Sequence, residues 1–249
     1  MPAIDSLHPD NSYRVHLFGT TRFQCGGGRI EAKLSSSAHL LLAMLTTRPD
    51  DTHNREALAF TLWPDYSEEA ALANLRRHLY QLQRALPSAV ASPIACDKRY
   101  LRWTAGDRTW VDVNEFESAS ARPDGIETAI YLYKGDFMPF ADHEWACGRR
   151  DQLRTIVRRN LETAIRRRRE AGDTVGALRY VEDLLAHDPW REDVLRDLMD
   201  LRWRIGDRAG ALATFRDFSR RLRTELAADP MPETVHVVQT ISQRAFQVA

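Results

Sequence analysis

The sequence predicts two domains of different class, an α+β domain over residues 13–111 and an all-α domain over residues 112–249. Three observations predict this. Short apolar runs of period two alternate with helical patterns as far as Val111. Beyond Val113 the strand signals vanish and helical periodicity takes over. A motif then recurs within the second half, Gly172-Asp-Thr-Val-Gly176-Ala-Leu178 returning as Gly206-Asp-Arg-Ala-Gly210-Ala-Leu212, at an offset of 34 residues.

Each element has its own signal. Residues 1–12 are polar and are expected to be a flexible N-terminus. Tyr13 to Phe18 reads as a strand with Tyr13, Val15 and Leu17 on one side, closed by Gly19. Thr21 to Gln24 is a second strand, and the Gly26-Gly-Gly28 turn leads to a third near Arg29 to Ala32. The serines Ser35 to Ser37 suit an N-cap for the apolar helix Ala38 to Leu45, which ends at Arg48-Pro49. A second helix runs from Asn54 to Trp63 and stops at Pro64. A third spans Ser67 to Leu86, with Asp65 or Ser67 as its cap and Glu68 and Glu69 in the first turn, where the dipole favours acids. Pro93 to Cys96, a tight turn at Asp97 to Arg99, and Tyr100 to Trp103 form a hairpin, followed by a strand at Trp110-Val111. Strands, three helices and a terminal hairpin in this order describe a winged helix-turn-helix. The repeat length is that of a tetratricopeptide unit, a helix pair that buries its face by stacking on its neighbours, with Gly-Asp making the turn and Gly-Ala admitting the next helix.

Composition bounds the function. The 249 residues carry 43% apolar and 28% charged side chains, as expected of a water-soluble cytoplasmic globular protein. No apolar run suits a membrane span, and the N-terminus lacks the basic and apolar parts of a signal peptide. Cys25, Cys96 and Cys147 are odd in number and widely spaced, which suggests neither a disulfide framework nor a zinc site. The 35 basic residues balance the 35 acidic ones, and residues 1–110 lean basic only by 13 to 11. Charge alone therefore does not identify a nucleic-acid binder, and the pattern must.

The third helix has that pattern. Leu75, Leu79, Leu82 and Leu86 fall on one stripe, and Ala70, Ala73, Arg77, Tyr80, Gln81 and Arg84 on the other face. Small residues let a backbone sink into a major groove, and Arg and Gln can pair two-pronged with guanine and adenine edges. Asn74, Arg76 and His78 lie on the flanks, where phosphates would run. Lys98 and Arg99 at the hairpin tip, with Arg102 beyond, stand at wing distance. An amphipathic surface helix with a few arginines has the same face without any nucleic acid, and only the neighbouring helix and hairpin tip the balance towards DNA.

Several segments resemble a known family. Phe18-Gly19, Arg55-Glu-Ala-Leu-Ala59 leading to Leu62-Trp-Pro-Asp65, and the Leu75-Arg76 helix resemble the OmpR-type winged helix of Streptomyces antibiotic regulatory proteins. Val111 to Phe116, Tyr133 to Pro139, Asp188 to Glu192 and Asp229 to Thr234 are similar to the bacterial transcriptional activator domain that follows it there. The resemblance covers roughly Tyr13 to Ile241. It implies a transcriptional regulator, an activator in most relatives, that binds promoter direct repeats as a dimer and contacts RNA polymerase. It assigns base reading to Arg77 and Gln81, which the helical wheel also selects, and backbone contacts to His78, Tyr80 and Gln83. Gln83 stands where the family has arginine, and Asp97 to Tyr100 lacks the usual wing glycine.

Enzyme chemistry is not expected. No phosphate loop is present, the Gly26–Gly28 turn is followed by a strand rather than a helix, and no histidine pair has helical zinc spacing. No cofactor and no metal are expected. The arginines Arg149, Arg150, Arg154, Arg158, Arg159 and Arg166 to Arg169 read as a solvated helix face pairing with acids of the repeats, over an apolar row of Leu153, Ile156 or Val157, Leu161 and Ala164. Trp145, Tyr180, Trp190, Trp203 and Phe215 read as core, and the stacked-helix surface is available to a peptide or a small effector. The alternative from a different class is a tetratricopeptide-type interaction adaptor whose winged helix no longer reads DNA.

Overall fold

A computed structural model describes residues 12–26, 28–29, 34–48, 51–86 and 92–243. The expectation for residues 1–11 lies outside that range, as do residues 30–32 of the third expected strand and Pro49. Two compact units divide the chain, Met1–Leu153 and Arg154–Ala249. The first holds two small sheets and the first helices; the second is entirely helical among its described residues.

One sheet of the first unit has strand order β3 (Gly28–Arg29), β2 (Arg22–Cys25), β1 (Tyr13–His16), β7 (Thr109–Val111). Antiparallel pairing sets Val15 opposite Phe23, while β7 runs parallel to β1 with Val15 opposite Val111. The second sheet has the order β4 (His53–Asn54), β6 (Tyr100–Trp103), β5 (Ile94–Cys96). Trp103 is fully buried between them, edge-on to Tyr13, with its Nε1–H donating to Thr109 Oγ1 at 2.7 Å.

The expected first strand extends to Phe18, but β1 stops at His16. The cause is Asp112, whose carboxylate accepts from the backbone N–H groups of Leu17 (2.9 Å) and Phe18 (3.0 Å). The chain then leaves the sheet: Met138 N–H donates to the Leu17 carbonyl, Gly19 N–H to that of Asp136, and Phe18 packs on Phe116 and Tyr133. These contacts join β1 to α4 (Asp112–Ser120) and to the residues after α5 (Ile126–Leu132). The junction expected between residues 111 and 112 therefore lies inside the first compact unit.

The other helices of this unit follow their caps. Ser35 Oγ caps α1 (Ser36–Thr46), Asn54 caps α2 (Arg55–Leu62), and Ser67, not Asp65, caps α3 (Glu68–Ala85). α1 is buried from Leu40 to Thr46, as a helix apolar on every side must be. Leu75, Leu79, Leu82 and Leu86 all face the core.

Helix α6 (Glu144–Glu170) runs from the first unit into the second. Leu153, Val157, Leu161 and Ala164 form its buried row, so Val157 and not Ile156 takes the inner position. Arg158, Arg168 and Arg169 pair with Asp188, Asp173 and Asp197 as expected of a face against the acids of the repeats, whereas Arg149 pairs with Glu117 of α4 and Arg150 donates to the carbonyls of Phe137, Met138 and Ala141.

Within the second unit, α8 (Glu192–Arg204) packs against α7 (Thr174–His187) and α9 (Arg208–Leu226), and α10 (Pro232–Gln243) returns to lie against α8 as well as α9, around Leu195, Met199, Ala211, Phe218, Leu222 and Ile241. The two copies of the repeat fold alike. Gly172 and Gly206 take positive φ, and Asp173 and Asp207 cap α7 and α9 by accepting from the N–H groups of Gly176 and Gly210, each at 2.8 Å. The Gly-Ala pair divides its work differently from expectation. A Cβ on Gly176 or Gly210 would strike the capping carboxylate, so these glycines serve the cap. The fully buried Ala177 and Ala211 are the residues that admit the neighbouring helix. Two family-like segments also meet here: Glu192 accepts from Met231 N–H and the Thr234 hydroxyl, closing the N-terminus of α10.

Candidate nucleic-acid interface

The surface of α3 is built by the turn that precedes it. α2 ends at Leu62, the Trp63 to Tyr66 turn is closed by Tyr66 N–H donating to the Trp63 carbonyl, and Ser67 starts α3. The leucine stripe buries one side of α3 and leaves Ala73, Arg76, Arg77, Tyr80, Gln83 and Arg84 exposed. Arg77, Tyr80, Gln81 and Arg84, with His78 and Ala85, line one surface depression of about 500 Å³. Tyr80, at 61% exposed, lies beneath the Arg84 guanidinium, 5.9 Å from ring centroid to Cζ. Asn74 and Gln81 are half-buried at the edges of the face. Gln83 turns away from the depression, its amide 3.9 Å from Cys96 Sγ on β5.

His78 is not on a flank. It is 7% exposed, with its ring stacked on Trp63 at 5.4 Å. A phosphate contact expected of it conflicts with that burial: position 78 lies at the border of the leucine stripe, and its ring turns to the core side against Trp63. Its Nε2 lies 3.2 Å from Arg77 Nη2, and its Nδ1 lies 3.0 Å from Ser35 Oγ and 3.4 Å from Gln81 Oε1. A guanidinium only donates, so Nε2 is the acceptor and the ring proton sits on Nδ1. Burial first lowers the His78 pKa and the Arg77 charge adds to it, against the Gln81 hydrogen bond. Burial and the neighbouring guanidinium thus both favour the neutral ring.

The hairpin carries Lys98 and Arg99 at its exposed tip. The missing glycine is replaced by a side chain: Asp97 Oδ1 accepts from the N–H groups of Arg99 and Tyr100, both at 2.7 Å, closing the turn without a positive φ. Those two bonds hold the Asp97 carboxyl below its usual pKa. Arg55, the first residue of α2, ties to the same turn through its N–H to the Arg99 carbonyl and its guanidinium to the Asp97 carbonyl. Arg102 is exposed on β6, opposite Ala95 rather than at the tip. Among the described residues, Arg76, Arg77, Arg84, Lys98, Arg99 and Arg102 are in no ion pair. Six cations are thereby left without an acidic partner.

Sequence reasoning did not find Ser35, Trp63 or Asp97 as parts of this surface. Ser35 was legible as a cap and Asp97 as a turn residue. Nothing in the spacing joins Ser35 to a histidine 43 positions later. Elsewhere in the first unit, a cleft of about 1120 Å³ is lined by Phe60, Trp63, Tyr66 and Trp145 and by Asp65, Asp142 and Glu144. No group of residues able to hold a metal ion, and no helix long and apolar enough to cross a membrane, occurs among the described residues.

Comparison with known proteins decides the family. The model of the bacterial transcriptional activator domain matches residues 111–242, from the last strand of the first sheet to α10. The chain belongs to this family. Its similarity extends to the regulatory proteins AfsR of Streptomyces griseus, 25% identical over 232 residues, and of Streptomyces coelicolor, 26% identical over 230 residues. These alignments cover 90% and 88% of this chain but 24% and 23% of the relatives, so the chain spans about a quarter of their length. Among solved structures, Mycobacterium tuberculosis EmbR, determined in complex with a low affinity phosphopeptide, superposes with a TM-score of 0.60 at 18% identity. That match covers 94% of this chain and 65% of the other, and it shows the shared fold. The chain thus carries the domain of a bacterial transcriptional activator family, and its similarity to Streptomyces regulatory proteins agrees with the resemblance of its motifs.

Proposed function

We propose that the chain is a sequence-specific DNA-binding regulator, a promoter activator that binds direct repeats as a dimer and contacts RNA polymerase. One observation carries the reading: Arg77, Tyr80, Gln81 and Arg84 converge in a single depression on the outward face of a helix whose opposite face is core. In this reading α2, its turn and α3 form a winged helix-turn-helix, and α3 enters the major groove with Arg77 and Gln81 towards the bases. Tyr80, Arg76, Arg84 and Asn74 serve the flanks, and Lys98, Arg99 and Arg102 belong to the wing and the phosphates beside it. The paired helices α7 to α10 form the tetratricopeptide-like half, which supplies dimer, polymerase or effector contacts. The protein acts by binding, with no catalytic residues.

The test is selection of bound sequences from a random duplex library at moderate salt, with wild type beside Arg77→Ala/Gln81→Ala. The expected result is an enriched direct repeat that the double variant does not enrich. The balance of 35 basic and 35 acidic residues favours a second reading, an interaction adaptor. A folded wild type that enriches nothing selects the adaptor instead.

A further inference from the structure

Two groups expected to read bases are held from inside the protein. Arg77 and Gln81 both bear on polar atoms around one buried imidazole. Ser35 Oγ accepts from the Ala38 N–H at 3.2 Å and from the His78 Nδ1–H at 3.0 Å, which uses both its lone pairs. Its single hydrogen goes to Gln81 Oε1, 2.9 Å away. The chain of donors is then complete: Arg77 guanidinium to His78 Nε2, His78 Nδ1–H to Ser35 Oγ, and Ser35 Oγ–H to the Gln81 carbonyl. Trp63 stacks on the ring and fixes its plane, 14° from parallel.

We infer that His78 is the positioning residue of this surface, setting the direction of the Arg77 guanidinium and, through Ser35, the orientation of the Gln81 amide. The inference rests on the DNA-binding reading above. A carboxamide presents a donor on one side and an acceptor on the other, and adenine is recognised only if the two are in the right order. The hydrogen bond from Ser35 marks which side of the Gln81 amide is the carbonyl. The contact with Nε2 occupies one guanidinium N–H and leaves the others of the fork for a guanine edge. Both restraints are formed before DNA arrives, so the two side chains lose less conformational freedom on binding. A merely structural histidine would need neither contact, since packing against Trp63 is available to any aromatic ring.

His78→Phe keeps the ring against Trp63 and removes both hydrogen bonds. His78→Asn restores a donor near the Nδ1 place for Ser35 but no acceptor for Arg77. His78→Gln reaches the Nε2 place instead. Each variant is measured for folding by circular dichroism and thermal melting, for affinity to random-sequence duplex, and for affinity to the selected operator with every base pair substituted in turn. Arg77→Ala and Gln81→Ala identify the base position that each reader controls.

His78→Phe is expected to bind random duplex within about twofold of wild type, because phosphate contacts supply non-specific binding. It is expected to lose about tenfold or more in discrimination at both reader positions, the scale of one bidentate base contact. His78→Asn recovers discrimination at the Gln81 position only, and His78→Gln at the Arg77 position only. Discrimination by His78→Phe equal to wild type, while Arg77→Ala loses it, overturns the inference and leaves the DNA reading standing. If Arg77→Ala also discriminates as wild type does, the DNA reading has failed. Should His78→Phe not fold, the Asn and Gln variants decide alone: losses at different positions support positioning, and the same losses in both overturn it.

Discussion

Asp112 sets two physical effects against each other, and pH separates them. Its side chain is 4% exposed and accepts hydrogen bonds from Leu17, Phe18 and Val113, each of which favours the carboxylate. Burial disfavours the charge more and pushes the carboxyl up to about 6 from 3.8. Because the folded pKa lies above the unfolded one, the folded state holds a proton that the unfolded chain has released. The contribution to stability is full below the unfolded value and is lost as pH rises through about 6. At about 1.4 kcal/mol per decade of pH, the whole difference is about 3 kcal/mol. Asp112→Asn removes the titration and keeps the shape. Histidines His39, His53 and His78, all lowered by burial, titrate in the opposite sense in both proteins and cancel on subtraction. The stability of wild type minus that of Asp112→Asn, from urea denaturation followed by near-ultraviolet circular dichroism, is expected to fall by about 2 kcal/mol between about pH 4.5 and 7.5. Amide exchange at Leu17 and Phe18 should quicken in the variant, where one of the two acceptor positions has become a donor. A difference that stays flat, or rises with pH, would show that the backbone hydrogen bonds outweigh burial and refute the reasoning.

Other consequences follow from the same geometry. Asp173→Ala and Asp207→Ala should each lower stability by about 1 kcal/mol, the worth of a helix cap, in urea denaturation, Asp173→Ala also losing a half-exposed pair with Arg168; no loss in either variant would deny that the caps hold the two repeats. Gly210→Ala should destabilise, although alanine in a helix is ordinarily better by about 1 kcal/mol, because its Cβ meets the Asp207 carboxylate; a raised melting temperature would contradict this. Leu75→Ala empties a fully buried position and should cost about 2–5 kcal/mol in the same assay, where a loss below 1 kcal/mol would mean that the stripe repacks. Within the DNA reading, Lys98→Ala and Arg99→Ala should each reduce the salt dependence of binding by about one phosphate contact; unchanged slopes in both would remove the hairpin from the interface.

Local patterns had a direct physical origin in this chain. The leucines of α3, the caps at Ser35 and Ser67, the hairpin around Asp97 and the paired Gly-Asp turns depend on neighbours within about one helical turn or one hairpin. Residues close in sequence cannot avoid meeting, so such features are readable without a structure. The arginines of α6 were readable as a solvated face for the same reason, whereas their partners Asp188, Asp173 and Asp197 were not. His78 shows where reading stopped. On a wheel it lies near the border between the leucine stripe and the arginine face, and a border residue can turn either way.

By itself, then, the sequence determined the order of the elements, the change from mixed to helical structure, the repeat, and which face of α3 is apolar, because periodicity and capping are local. Tertiary structure alone decided that His78 turns inward onto Trp63, that Ser35 completes a hydrogen-bond chain to Gln81, and that Asp112 ends β1 and draws α4 into the first unit. Those outcomes turn on polar groups 43, 46 and 95 residues apart. Each had to find a partner once burial removed water, and only the packing of the whole unit determines which partner is within reach.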